Sequence, residues 1–302
     1  MDQAFIRKYE AAYGTSELKL DSYLIHRMGL KKRHTFIKLK DFFLYAVPVK
    51  IGFTSGKILL SMSEREIALL ESMKESPQQL RMRFVSPRFS HEIGLFLKIL
   101  IKQIHSGNGA GNAVLVDLKI LSPSDDFKTI LIDLFQLYEE LEQAWEARKE
   151  SRTGIPTRLL QQAEISSALH LIIPGSGRYR CLVKEIGLTT CSLYISKSLA
   201  PALNNGIEQL SLEVVWSQGS FLVQAAITGT IQDTHQEGVK LLTAELQFSP
   251  ALTDLLLPMI RMIEERTGDP PREDGGENGD SQSYNAQGGD SQGGDTEEAE
   301  IT

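Results

Sequence analysis

The chain has 302 residues, of which 41% are hydrophobic and 24% charged, values ordinary for soluble globular chains of two domains. The net charge of −7 is unevenly spread: from Asp269 onward ten acids face one base, Arg272, so the tail carries −9 and the preceding 268 residues +2. That near-neutral body excludes a broad basic field suited to duplex nucleic acid, and two cysteines, Cys181 and Cys191, exclude a disulfide scaffold.

The opening MDQAFIRKYEAAYG has no continuous apolar stretch, so no cleaved signal peptide is expected. No segment approaches the roughly 20 apolar residues of a membrane span, and the cytoplasm is the expected compartment. A short amphipathic helix is predicted from Gln3 to Tyr13, within an N-terminal segment of residues 1–30. A basic run follows, carrying Arg27, Lys31, Lys32, Arg33, Lys38 and Lys40. It reads either as the solvated approach to a barrel or as a phosphate-facing patch.

From Phe42 the pattern becomes that of strands: FFLYAVPVKIGF, KILLSMSEREIALL, LRMRFVSP, GLFLKILIKQIH and AVLVDLKILSP. Leu95, Leu97, Ile99 and Ile101 share one face of a period-2 strand. The Gly-rich SGNGAGN at 106–112 lies between two strands, which makes it a hairpin turn and not a phosphate-cradling loop. After Pro123 the period changes: Phe127, Ile130, Leu131, Leu134, Leu137, Tyr138 and Leu141 recur at helical spacing. Ser124, Asp125 and Asp126 supply a cap and negative charge at the helix start.

The second half repeats the plan. Strands are predicted at ALHLIIPG, RYRCLVKEIG, CSLYIS, QLSLEVVWSQ, FLVQAAITGTIQ and KLLTAELQFSP, followed by a helix, ALTDLLLPMIRMIEERTG. Matching the Ser-Pro corners, Pro123 with Pro250, gives an internal offset of 127, and a repeat at such a period fixes the architecture. The tail from residue 269 is too polar to offset chain entropy and is expected to be disordered. The predicted fold is mainly β with flanking helices: two tandem barrels over 31–150 and 151–268, each followed by a C-terminal helix, then the tail at 269–302. The cysteines lie on consecutive predicted strands, as a cross-strand bridge or, the favoured reading, as two reduced core thiols. Neither the six histidines nor the serines form a metal-ligand or nucleophile-elbow pattern, and no catalytic residues are expected. His170 and Trp216 are expected to pack in the second barrel.

A barrel of about 100 residues ending in Ser-Pro and an amphipathic helix resembles a PilZ domain. Members of that family bind cyclic di-GMP through an R-x-x-x-R segment ahead of the barrel and a D/N-x-S-x-x-G motif on it. Arginine forks grip phosphates and guanine edges, while the second motif lets the ligand approach the backbone. In VKEIGLTTCSLYI the resemblance places the motif at Glu185, Gly187 and Thr190. Arg158 matches the first arginine, with Gln162 where the second would stand. An intact R-x-x-x-R occurs farther upstream, at Arg148 and Arg152, either as ligand arginines or as a solvated helix end. In the first half the same matching selects Ser61, Ser63 and Glu66, with Arg33 upstream. The resemblance implies a cytoplasmic signalling adaptor. It would act through protein partners, with cyclic di-GMP as a regulatory ligand at the second barrel and no cofactor, nucleic-acid polymer or membrane insertion. The alternative is a ligand-free assembly module.

Overall fold

The computed structural model describes residues 3–39, 42–74, 76–85, 92–106, 112–149, 153–204, 209–228, 231–234 and 237–267; the predicted disordered tail and Arg152 lie outside them. In chain order, α1 (Gln3–Tyr13), β1 (Glu17–Lys19) and α2 (Ser22–Arg27) precede β2 (Phe36–Leu39), β3 (Phe42–Gly52) and β4 (Ser55–Ser61). Then come α3 (Glu64–Ser72), β5 (Gln78–Phe84), β6 (Ile93–Ser106), β7 (Ala113–Ile120) and α4 (Asp125–Glu146). The second half runs β8 (Ile155–Pro156), α5 (Thr157–Leu160), β9 (Ala168–Ile173), β10 (Gly177–Ile186), β11 (Thr190–Ser196), α6 (Ala200–Asn204), β12 (Gln209–Trp216), β13 (Gly219–Ile227), β14 (Gln232–Asp233), β15 (Val239–Leu246) and α7 (Pro250–Thr267).

Strand alternation closes each half on itself. β2-β3-β4-β7-β6-β5 forms an antiparallel ring. β9-β10-β11-β15-β13-β12 forms a second ring with the same order of equivalent strands. Every second residue points inward: Ile37, Ala46, Ile58, Leu80, Leu97 and Val116 fill the first barrel, Leu171, Val183, Leu193, Leu212, Val223 and Leu242 the second. The expected pair of tandem barrels is therefore present, each followed by an amphipathic helix. Helix α4 begins at Ser124, whose hydroxyl accepts the Phe127 amide at 3.3 Å, and α7 at Ser249, which accepts the Leu252 amide at 3.3 Å. Helix α1 spans the residues read from sequence and packs on α4 through Tyr13 against Phe135 and a Lys128–Glu10 ion pair at 2.7 Å.

One predicted run differs. KILLSMSEREIALL was read as strand, but only its first part is β4. Ser63 then caps α3 in a capping box, accepting the Glu66 amide while the Glu66 carboxylate accepts the Ser63 amide at 2.6 Å. The S-x-x-E spacing satisfies two orphan helix donors reciprocally and outweighs the apolar run's strand tendency.

Among the described residues the barrels meet in two zones. In one, Tyr23 and His26 of α2 bracket Trp216 at ring distances of 5.4 and 5.3 Å, and the Ser22 hydroxyl donates to the Ser220 carbonyl. The Tyr23 hydroxyl also donates to Asp254 of α7, which Arg27 approaches at 3.5 Å. Trp216 is thus buried, as expected, but between the barrels. In the other zone, Tyr138 and Trp145 of α4 pack on Phe248. His170 is half-buried at the barrel surface and accepts from Arg178 at 3.1 Å, so it is hydrogen-bonded without being a core residue. No helix among the described residues is long and apolar enough to cross a membrane.

Cys181 and Cys191 are free and buried. Their strands are adjacent, but Cys191 stands opposite Ile186, five residues along β10 from Cys181, beyond bridging distance. Burial pushes both thiols up to about 12, which leaves almost no thiolate at neutral pH. Neither cysteine should react with a thiol reagent such as Ellman's at about pH 8 in the native chain, and both should react after unfolding in guanidinium. Rapid native labelling would show that the second barrel opens.

Candidate functional site

The site grows from the far end of β10. Between Val183 and Glu185 the pairing with β11 slips by one residue, a bulge that bends the strand. Strand β9 ends opposite Leu182, with Ala168 as its last partner, and after one further bond from the Val183 amide to the Ser167 carbonyl at 2.9 Å it leaves Glu185 and Ile186 of β10 without a β9 partner. The interdomain segment fills them: in β8, Pro156 pairs with Glu185 and Ile155 with Ile186. The turn then closes as the Gly187 amide donates to the Thr190 carbonyl at 2.8 Å.

Two glycines permit this close approach. Gly154 lies directly against the Glu185 side chain. A Cβ on Gly187 would stand 2.8 Å from the Thr153 carbonyl oxygen, closer than real Cβ contacts come. Downstream, the Thr157 hydroxyl donates to the Val183 carbonyl and to the Lys184 carbonyl at 3.1 Å. Arg158 follows on α5, exposed, as is Glu185, and the two make no ion pair with each other. From the other side comes α4. The Trp145 indole N–H donates to the Leu188 carbonyl at 3.2 Å, and the Lys149 ammonium lies 5.3 Å from the centre of the Trp145 ring. Arg148 is half-buried and paired to Glu264 of α7 at 3.4 Å, and its Nε is buried without a hydrogen-bond partner.

The structure thus gathers Arg158, Glu185, Gly187 and Thr190 around one turn, with Arg148 at the foot of the same linker but turned toward α7. Arg152 falls outside the described residues. Sequence reading missed Trp145, Thr153 and Gly154. It also misplaced the equivalent positions in the first barrel. There the matching bulge lies between Pro48 and Lys50, 135 residues before that of β10, and Leu18 of β1 pairs with Ile51 as Ile155 pairs with Ile186. The true counterparts of Glu185, Gly187 and Thr190 are Lys50, Gly52 and Ser55. Ser61 ends β4, Ser63 and Glu66 cap α3, and Arg33 lies in a 3-10 turn. The helix caps Ser124 and Ser249 are only 125 residues apart, so the first barrel holds ten more residues between bulge and cap, a stretch that includes α3 and the long β6. The legible signal was Ile51-Gly52-Phe53-Thr54-Ser55 against Ile186-Gly187-Leu188-Thr189-Thr190.

Exposed beside this turn are one guanidinium, Arg158, and one carboxylate, Glu185, over closely approaching backbone. Among the described residues no group of three or more His, Cys, Asp or Glu side chains is placed to hold a metal ion.

No family model matches the chain, and no curated protein matches it. Solved structures do show similarity. The Borreliella burgdorferi PlzA protein in complex with c-di-GMP is 15% identical, with 84% of this chain and 97% of that chain covered at a TM-score of 0.42. Escherichia coli YcgR in complex with c-di-GMP is 11% identical, with 83% and 94% covered at 0.27. The K. pneumonia MrkH–c-di-GMP complex is 10% identical, with 82% and 92% covered at 0.28.

Gly187→Ala should wedge β8 away from β10 and cost about 1–3 kcal/mol, read as a lower midpoint in denaturant unfolding. A wild-type midpoint would show that the linker is not fixed by this contact.

Proposed function

We propose that the chain is a PilZ-type signalling adaptor whose second barrel takes cyclic di-GMP at the Glu185–Thr190 turn and passes the event on through protein contacts. The observation that carries this reading is the pairing of Ile155–Pro156 with Glu185–Ile186, which lays the arginine-bearing linker along the strand that matches the family's second motif. Arg158, with Arg148 and Arg152 upstream, supplies positive charge for the two phosphates. Glu185 accepts from a guanine edge, and the turn at Gly187 offers close backbone. Arg148 contributes once it exchanges Glu264 for ligand, and its unsatisfied Nε marks a donor available for that exchange.

The site also lies where the barrels join. Trp145 ends the helix that follows barrel one, and its indole holds the carbonyl inside the turn of barrel two. A ligand seated on that turn therefore acts on the end of α4, and the response is a change in how the barrels present themselves to a partner. The second reading, a ligand-free assembly module, is favoured by the filled contact between Gly154 and Glu185.

Isothermal titration of the whole chain separates the two. Binding at or below about 100 μM cyclic di-GMP, weakened about tenfold or more by Arg158→Ala and by Glu185→Ala, supports the receptor reading. Trp145 fluorescence should move with occupancy. No heat at that concentration, with a native unfolding curve, would overturn it and leave the ligand-free module.

A further inference from the structure

The outer wall of the first barrel carries a two-row grid of side chains unlike the wall of its sister. Register places Tyr45, Phe36, Arg81 and Phe96 side by side across β3, β2, β5 and β6. The next row is Phe43, Lys38, Gln79 and Lys98 on the same strands. Tyr45, Phe43 and Phe96 are 72%, 57% and 54% exposed, a clustering of exposed rings of the kind that marks an interaction surface. The Arg81 guanidinium lies between two rings, 5.3 Å from the centre of Phe36 and 5.2 Å from that of Phe96. Phe36 and Phe43 meet edge to face at 4.9 Å. Neither Lys38 nor Lys98 has an ion-pair partner among the described residues, and neither row contains a carboxylate. Beside the grid is an open recess of about 440 Å³ lined by Lys38, Pro77, Gln78, Gln79, Phe96 and Lys98.

The equivalent first row on barrel two is Arg180, His170, Glu213 and Leu222. That row carries its own carboxylate: Glu213 lies 3.6 Å from His170 and pairs with Arg178 of the neighbouring row at 2.7 Å. The grid is therefore not a consequence of the fold. Four exposed or half-exposed rings with cations between them, and no anion among the described residues of either row, form a stacking platform with phosphate counter-charges.

We infer that this face binds single-stranded nucleic acid, its bases stacking on Phe43, Tyr45 and Phe96 and its phosphates meeting Lys38, Lys98 and Arg81. A duplex hides its base faces and would leave the rings unused, and the near-neutral body lacks the wide field that a duplex needs. An acidic peptide would engage the cations alone. The recess beside the grid distinguishes it from the protruding wedge that inserts into a lipid surface. The site is remote in sequence from the Glu185 turn, and the proposal stands without that turn's assignment.

Fluorescence anisotropy of the full chain with labelled oligothymidylate of about 15 nucleotides provides the test, beside the matching duplex and phosphatidylglycerol vesicles. Single-strand binding should exceed duplex binding, and log K against log salt should slope about −2, for three phosphates at about −0.7 each. Phe43→Ala with Phe96→Ala should weaken it at least about tenfold while the chain keeps a wild-type far-UV dichroism spectrum and a cooperative unfolding transition, lowered only by the lost Phe36–Phe43 and Arg81–Phe96 contacts. Glu185→Ala should leave it unchanged. Absent binding, equal affinity for duplex, wild-type affinity in the double variant, or capture of vesicles without oligonucleotide would each overturn the inference.

Discussion

Ring closure is the constraint on which the rest of the molecule depends. β4 must pair with both β3 and β7, and β11 with both β10 and β15. A strand that turns a closed barrel's corner needs extra bend, and in both barrels one residue is inserted at the same place, Val49 in β3 and Lys184 in β10. Beyond that bend the neighbouring first strand has run out, so an edge of unpaired backbone opens. β1 takes it in one barrel and β8 in the other. The location of the candidate site follows: the linker meets the turn because closure leaves an edge there.

The same device serves different ends in the two barrels. In the first, the counterpart turn is tied down, with the Ser55 hydroxyl donating to Glu17 at 2.6 Å. Two pairs farther along the seam, Lys57 meets Asp117 at 2.8 Å and His105 approaches the same carboxylate at 3.1 Å. Burial alone would raise the Asp117 carboxyl, but the hydrogen bonds from Lys57 and His105 overcome it and hold it below the usual carboxylate range. The corresponding pair of barrel two is Ser192 and Thr243, without charge. Barrel one thus fixes its seam with an ion-paired cluster, while barrel two leaves Arg158 and Glu185 exposed at its turn.

Much of this was legible in the sequence, because period-2 and period-3.6 patterns report directly which face is buried. The strands from Leu95 to Ile101 and the helix from Phe127 to Leu141 are cases in point, and Ser124 marks its helix start by chemistry alone. The helix at Glu64 was lost because its apolar residues follow straight on from those of β4, and only the capping box separates them. The repeat was recognised, yet its register was drawn from the Ser-Pro pairs. Those are not equivalent: Ser249 itself caps α7, whereas Ser122 precedes the capping Ser124 by two residues. Trp145 was invisible as a site residue, since its role comes from a carbonyl 43 residues away, and no local pattern encodes a contact of that range. The aromatic grid was equally hidden. Phe36, Arg81 and Phe96 come together only through cross-strand register, and a net charge averaged over 268 residues conceals a local cluster.

Helix α7 ties these parts into one mechanical unit. Through Asp254 it receives the Tyr23 hydroxyl and faces Arg27, both from the segment that precedes barrel one's ring. Three turns later Glu264 holds Arg148, at the root of the linker. The helix that closes barrel two is therefore anchored at both ends to the other half of the chain, and its middle, with Leu256 and Ile260 buried, packs into the shared apolar core. The two anchors share no side chain: Tyr23 and Arg27 meet Asp254, and Arg148 meets Glu264. A helix held at one end only could swing about that end; held at both, with Leu256 and Ile260 buried between, α7 fixes the two halves of the chain against each other.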